Sequence, residues 1–577
     1  MPSVNTRQNT AMKFKLLSLT AAAFAVFAAL PASASESSAD KGLLIHNARG
    51  LTLDARGAVQ RFEALAIDMQ GRVLATGSIK TLQPLLPHAQ QIDARGQVLM
   101  PGLADAHGHV MGLGLSRRRL ELRDTADLPA ALAAIKAYAE ARPAATWIRG
   151  RGWNQANWKL GRFPTASELD SAVEQRPVWL ERVDGHAGWA NSRALALAGI
   201  TRDTPDPKGG SIERDASGIP NGILVDAAMD LVSHLVPPTD EAELRAALLT
   251  AQTELLSLGF TSVHDAGVAS KTDALVRELA AAGELKIRIE GMFSGSDPAM
   301  TRRMLAEGPY TGKDGLYNLR AVKLFADGAL GSRGAALIDP YSDSPHSHGL
   351  LFQTDAQLHA QMLAAAAAGF QVNVHAIGDA GNRQVLAGFE QIRHELGTAK
   401  AKALRHRIEH AQVLALADIA RLARADVIAS IQPVHATSDM NMAEDRVGPQ
   451  RIQGAYAWQR LLTSGARLAC GSDFPVEEPT PWAGLYAAVT RQGADGLPVG
   501  GWYGKQALSR VQALDCFTRG AAYAAHRERE IGSLLKGMQA DFILLDIDPL
   551  TASPQDLLHA KVAQTWVGGR LVYKREL

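Results

Sequence analysis

Two histidines one residue apart, His107 and His109, stand in the stretch ADAHGHV, directly after the apolar run QVLMPGL. Residues i and i+2 of an extended strand share a face, so both imidazoles point the same way from a strand's end. That placement suits a divalent cation, yet an H-x-H pair also occurs in plain loops and decides nothing by itself. Four more residues with ligand or proton-transfer chemistry follow apolar runs later in the chain: Lys323 in AVKLFADG, His375 in VHAIGD, His410 in RIEHAQ and Asp473 in GSDFPV. Neutral imidazole and carboxylate ligands suit Zn²⁺ and leave room for water, although Mn²⁺ or Fe²⁺ would accept the same donors. A protonated lysine cannot bind a cation. Burial that lowers its pKa frees the amine to add CO2, and the resulting carbamate can bridge two metals.

The elements that must carry these residues alternate. Short apolar strands are separated by Ala- and Leu-rich helical stretches such as AELRAALLTAQTELLSLG, the pattern of parallel strands with crossover helices. Runs ending in polar residues occur up to 109 and at 260–267, 286–293, 320–328, 370–379, 405–412, 427–433 and 466–474. Together they make eight, the number that closes a (β/α)8 barrel whose chemistry sits where the strands end. A further run, PVWLERVDGH at 177–186, then belongs to an insertion after the first strand, spanning about 112–240 and rich in Trp, Gly and Asn. Short β-type runs before residue 100 and after 526 predict a β-sandwich built from both ends of the chain, around a barrel at 101–525.

The ordered motifs DAHGH, VKLFADGALGS, VHAIGD, RIEHAQ and GSDFPV resemble the amidohydrolase superfamily, and within it the amidohydrolase family 3 group of N-substituted formamide deformylase-like enzymes. The resemblance covers about residues 42–570 and includes ERVDGHAGWANSRAL in the insertion and GSLLKGMQADFILLD near the end. It implies that His107, His109, Lys323, His375 and His410 bind metal, and that Asp473 both binds metal and moves protons. One or two Zn²⁺ ions are implied, with Lys323 carboxylated if there are two. The implied reaction is hydrolysis of a non-peptide carbon–nitrogen bond, an amide or N-formyl group, in a small molecule. Esters, lactones and carbamates are the alternative substrates, and an exported protein that binds a metal or ligand without turnover is the non-enzymatic alternative.

Other residues are candidates for touching substrate. His186 in VDGHAGW, Asp327 and Arg333 beside the lysine, and Trp153 are the first of these; Trp158, Trp179 and Trp189 are further apolar walls for a pocket in the insertion. His264 reads as a packed or hydrogen-bonding neighbour of the site, and His346 and His348 as loop histidines. With 60 basic and 59 acidic side chains, nothing in the charge balance suggests a nucleic-acid partner. Residues 12–34 have a charged start, an apolar core and an Ala-Ser-Ala cleavage pattern, which predict a signal peptide and an exported, periplasmic or secreted protein. The apolar core, about 15 residues, is shorter than the ~20 that span a bilayer, so no stable membrane insertion is expected after cleavage. A homodimer fits a barrel of this size. Of the two cysteines, Cys470 lies in an apolar run and reads as a buried free thiol.

Overall fold

The computed structural model describes residues 42–576. The residues of the signal-peptide reading, 12–34, lie outside them. Eight parallel strands carry the ligand motifs: β1 (Leu103–Gly108), β2 (Phe260–Val268), β3 (Arg288–Ser294), β4 (Tyr317–Phe325), β5 (Gln371–Ala376), β6 (Arg407–His410), β7 (Ile428–Ile431) and β8 (Arg467–Cys470). They pair in chain order from β1 to β8. The ring closes through Gly108 and Phe474, which form a parallel bridge. Two backbone bonds reinforce the seam, from Asp473 N–H to His107 O (2.7 Å) and from His109 N–H to Phe474 O (2.8 Å). Every one of the eight runs read from the sequence overlaps one of these strands, and five contain theirs whole.

Both faces of such strands are covered, which is why they read as nearly continuous apolar runs. The two faces nevertheless differ. On β5 Val372, Val374 and Ala376 belong to the large apolar core shared with the surrounding helices. The alternate residues Gln371 and Asn373 are buried too, and the same phase ends on His375. The lumen is thus a polar column of Ser262, His264, Glu290, Asn318, Asn373, Arg407 and Glu409 beneath the strand ends. Such a column holds only if its members bond one another.

The run at 177–186 is no barrel strand. Val178–Arg182 lies in a separate six-stranded sheet together with Leu120–Glu121, Ile148–Trp153, Ala187–Ala190, Gly210–Arg214 and Pro220–Asp226. The chain ends meet in another six-stranded sheet, where Val98–Pro101 pairs with Phe542–Leu545, and a four-stranded sheet begins at Leu43–His46. Ile45, Leu65 and Ile67 of the four-stranded sheet share one apolar cluster with Leu99, Phe542, Leu544 and Trp566 of the other, so the two sheets pack as a sandwich. Arg288 of β3 donates to Asp541 from Nε (2.6 Å) and Nη2 (2.8 Å), a buried pair that fixes the sandwich to the barrel.

The cysteine reading is corrected. Cys470 at the end of β8 is disulfide-bonded to Cys516, with Cα atoms 5.2 Å apart. Their separation of 46 positions in sequence hid a pairing that only the return of the helix near 516 to β8 brings about.

Candidate metal centre

All six residues of the sequence-derived set come together at the C-terminal ends of the strands. His107 is fully buried at the end of β1, and His109 caps the helix Val110–Arg118 that follows. Their ring centroids are 5.7 Å apart, and those of His107 and His410 are 5.0 Å apart. His375 lies 4.5 Å from His410, ring to ring. Asp473 Oδ1 is 3.1 Å from His109 Nε2 and 3.5 Å from His107 Nε2, while Lys323 Nζ is 3.2 Å from His107 Nε2. Two residues leave regular backbone to reach this cluster: His410 has φ 75° and Asp473 φ 62°. Non-glycine residues in the left-handed region are uncommon and concentrate at functional sites. At His410 the turn interrupts strand alternation where the ring must swing beside His107 and His375.

The hydrogen bonds assign the tautomers. His107 Nδ1 sits 2.5 Å from Glu409 Oε2 and His410 Nδ1 2.8 Å from Gln432 Oε1, so each Nδ1 carries the proton and each Nε2 offers its lone pair to the centre. His375 Nε2 is buried and has no hydrogen-bond partner among the described residues. Burial holds these rings neutral: it pulls His107 down to about 4 and His375 to about 3, with the Lys323 charge adding to both, and it takes His410 well below its usual value. Asp473 is held well below the carboxylate range by His107, His109 and His410, against the cost of burial. Burial also pushes Lys323 down to about 8, partly opposed by Glu409 and Asp473. Neutral imidazoles with free lone pairs around an ionised carboxylate are a donor set that fits a divalent cation. Two overlapping groups are spaced to hold one, His107–His109–Asp473 and His410–His435–Asp473, with Asp473 common to both.

Glu409, Gln432 and His435 were missed by the sequence reading. Arg407 holds Glu409 in place, donating from Nη2 to Glu409 Oε2 (2.9 Å) and from Nη1 to His264 Nδ1 (2.8 Å). His264 therefore anchors this buried chain from beneath. Gln432 directly follows β7 and His435 lies in the helix Pro433–Asp439 after it; β7 is the one late strand that supplied no residue to the sequence-derived set. The gap at that strand was the available signal.

Three of the four substrate candidates sit elsewhere. Trp153 is buried in the insertion, edge-on to Trp189 (6.1 Å) and Phe163 (6.3 Å), and its indole donates to Leu180 O. Trp158 and Trp189 join that cluster, so these three are core; Trp179 packs in a second apolar cluster with Leu195, Ile212 and Leu224 and also lines a cleft. Arg333 pairs with Asp343 (2.9 Å) on a surface loop. His186 is bonded to Asp226 (2.9 Å) at the edge of the insertion sheet. Asp327 is the nearest to the centre, 3.7 Å from His375 Nε2, but its carboxylate accepts the N–H groups of Ala336, Ile377 and Gly378, which shape the turn after β5.

A closed (β/α)8 barrel with an imidazole–carboxylate centre at its strand ends defines a class of hydrolases. The chain belongs to the amidohydrolase family, whose model matches residues 90–573. Among its relatives, Protein LONG AFTER FAR-RED 3 of Arabidopsis thaliana is 34% identical over 552 residues, covering 92% of this chain and 91% of its own. The N-substituted formamide deformylase of Arthrobacter pascens is 29% identical, covering 93% and 99%. An uncharacterized metal-dependent hydrolase from Pyrococcus furiosus superposes with a TM-score of 0.72 at 29% identity, over 88% of this chain and all of that one.

Proposed function

We propose that the protein hydrolyses a non-peptide carbon–nitrogen bond of a small molecule, an N-formyl or other amide, with one or two divalent cations, Zn²⁺ foremost, held by His107, His109, His375, His410 and Asp473. The observation that carries this reading is the convergence of neutral Nε2 lone pairs on one ionised carboxylate, with His375 Nε2 buried and unpartnered. Similarity to the Arthrobacter pascens enzyme over nearly its whole length favours the N-formyl group among amides. A bound cation supplies Lewis acidity that brings the pKa of water toward ~7. Asp473 takes the proton from the attacking water on its carboxylate and passes it to the departing nitrogen, so the amine leaves neutral. Glu409 and Gln432 keep His107 and His410 in the tautomers that leave Nε2 free. Lys323, its amine released by burial, is the residue for a carbamate bridge if two cations bind.

The reading includes export. The disulfide Cys470–Cys516 supports it, because structural disulfides persist in oxidising compartments.

The test combines metal analysis of the purified protein with a panel of N-formyl amines, other amides and esters assayed with added Zn²⁺. Bound metal and turnover of the N-formyl amines are the expected result. Tight metal binding without turnover of any carbonyl substrate would overturn the enzyme reading, and turnover of esters alone would replace the C–N assignment.

A further inference from the structure

Between the helix Val110–Arg118 and the insertion sheet lies a cleft of about 360 Å³. No residue of the metal centre lines it, and its near end at Gly112 is one helical turn from His109. Gly112 lines it, and a Cβ at Gly112 would meet His109 Cβ and Pro475 Cδ, each at 3.4 Å. His109, Gly112, Ser116 and Arg119 are spaced three or four residues apart, so they share one helical face that runs from the centre into the cleft. The opposite wall is the sheet. Arg149 pairs with Trp179 and Arg151 with Glu181 in parallel register, which puts these four side chains on one face. Ile148, Val178 and Leu180 face the other way into the insertion's apolar core.

Glu181 brings a carboxylate to the cleft, yet two of the donors there have no partner among the described residues. Arg119 and Arg149 both engage Glu243, at 3.3 and 3.1 Å. Arg151 differs: its side chain donates to Val183 O (3.1 Å), and its Nε is buried without a partner among the described residues. Trp179 is only 3% exposed, and its Nε1 also finds no acceptor among the described residues. A buried donor left unpaired is costly, and such a pair beside a cavity fits a ligand that brings acceptors. Burial lowers the Arg151 pKa, and Glu121, Glu181 and Asp473 oppose that shift, so its guanidinium feels the metal-centre carboxylate. Leu115, Val236, Pro237 and Pro238 are the apolar part of the lining, and Glu181, Ser233 and Thr239 add polar groups to it.

We propose that this cleft is the subsite for the far end of the substrate, and that it takes a carboxylate carried on an apolar chain, received by Arg151 and the Trp179 indole. The substrate class is then an acidic amide, an ω-acylamino or ω-formamido acid, whose scissile carbonyl sits at the centre while its carboxylate lies in the cleft. This assignment rests on the C–N hydrolysis proposed above. A guanidinium–carboxylate bond of the charge-assisted kind is worth roughly 1.5–3 kcal/mol, on the order of 10- to 100-fold in kcat/KM.

The experiment assays a series of ω-formamido carboxylates of increasing chain length, each against the formamide of the parent alkylamine, with the zinc-loaded full-length protein. The best acid is expected to exceed its neutral partner by about 10- to 100-fold. Arg151→Met should bring that ratio close to one, and Arg151→Lys should keep part of it. Equal kcat/KM for acids and neutral partners in a protein that turns over both would overturn the subsite. Failure to turn over either set would instead sink the formamide reading, and the subsite is then judged by binding. With ¹⁵N-labelled tryptophan, the Trp179 indole resonance, identified by its loss in Trp179→Phe, should shift saturably with glutarate and not with glutaramide. No shift with glutarate would overturn it.

Discussion

The barrel mouth and the insertion are both rich in side chains that suggested chemistry, and only the mouth assembles them into a centre. On the barrel, each candidate followed an apolar run in an alternating strand–helix pattern, and parallel strands in one ring deliver their ends to a single place. In the insertion, Trp153, Trp158 and Trp189 had no such frame, and they pack on one another. Position at a strand end carries functional information because topology fixes where that end goes. Aromatic richness does not, since a small sheet with an apolar cluster of its own needs large side chains to bury its face.

Substitution at the mouth should have the largest effect. Asp473→Asn keeps the size of the side chain and removes its charge and its capacity to accept a proton; kcat for an N-formyl amine is expected to fall by about 10³-fold or more. Bound metal, measured on the same preparation, should fall as well, because Asp473 belongs to both ligand groups. A variant with full metal and near-normal kcat would remove Asp473 from the chemistry and erase the contrast between the two regions. Trp153→Ala makes the converse case. It empties a fully buried site and is expected to cost about 3–5 kcal/mol in denaturant unfolding. Metal content per folded molecule should stay as in the parent protein. Loss of metal would mean that the insertion core holds the centre together after all.

Most of the barrel was legible in the sequence: eight runs, eight strands, and six strand-end residues brought within one cluster. What escaped notice had physical causes. Glu409 is adjacent to His410, and strict alternation would send the two to opposite faces; the left-handed backbone at His410 brings both to bear on the centre, and no residue pattern announces it. Gln432 and His435 lie at a turn into a short helix, Pro433–Asp439, where strand periodicity has ended. The disulfide joins β8 to a helix 46 residues on, a contact made by tertiary packing alone.

Glu409→Gln sharpens the comparison within the barrel. The amide keeps the shape but loses the charge that faces both His107 and Arg407. Outer partners of metal-binding histidines are typically worth 10- to 100-fold in metal affinity. A loss of that size is expected in competition with a zinc chelator, with the fold intact by circular dichroism. Unchanged affinity would reduce Glu409 to the neutraliser of a buried arginine.

The smallest effect is expected at Arg333, which its position near Lys323 in sequence had marked for substrate. The intervening chain turns outward after β4, and Arg333 ends 39% exposed in its side chain, paired with Asp343. Asp343 also binds Arg446, so it keeps a cation when Arg333 is cut back. Exposed pairs of this kind contribute about 0–1 kcal/mol, and here half of a shared interaction is all that is lost. Arg333→Ala should therefore leave kcat/KM within about twofold and shift unfolding by less than about 1 kcal/mol. A drop of tenfold or more in kcat/KM with unchanged stability would mean that the surface loop folds over bound substrate. Distance along the chain from Lys323 would then have been the better guide, and the barrel mouth would extend beyond its strand ends.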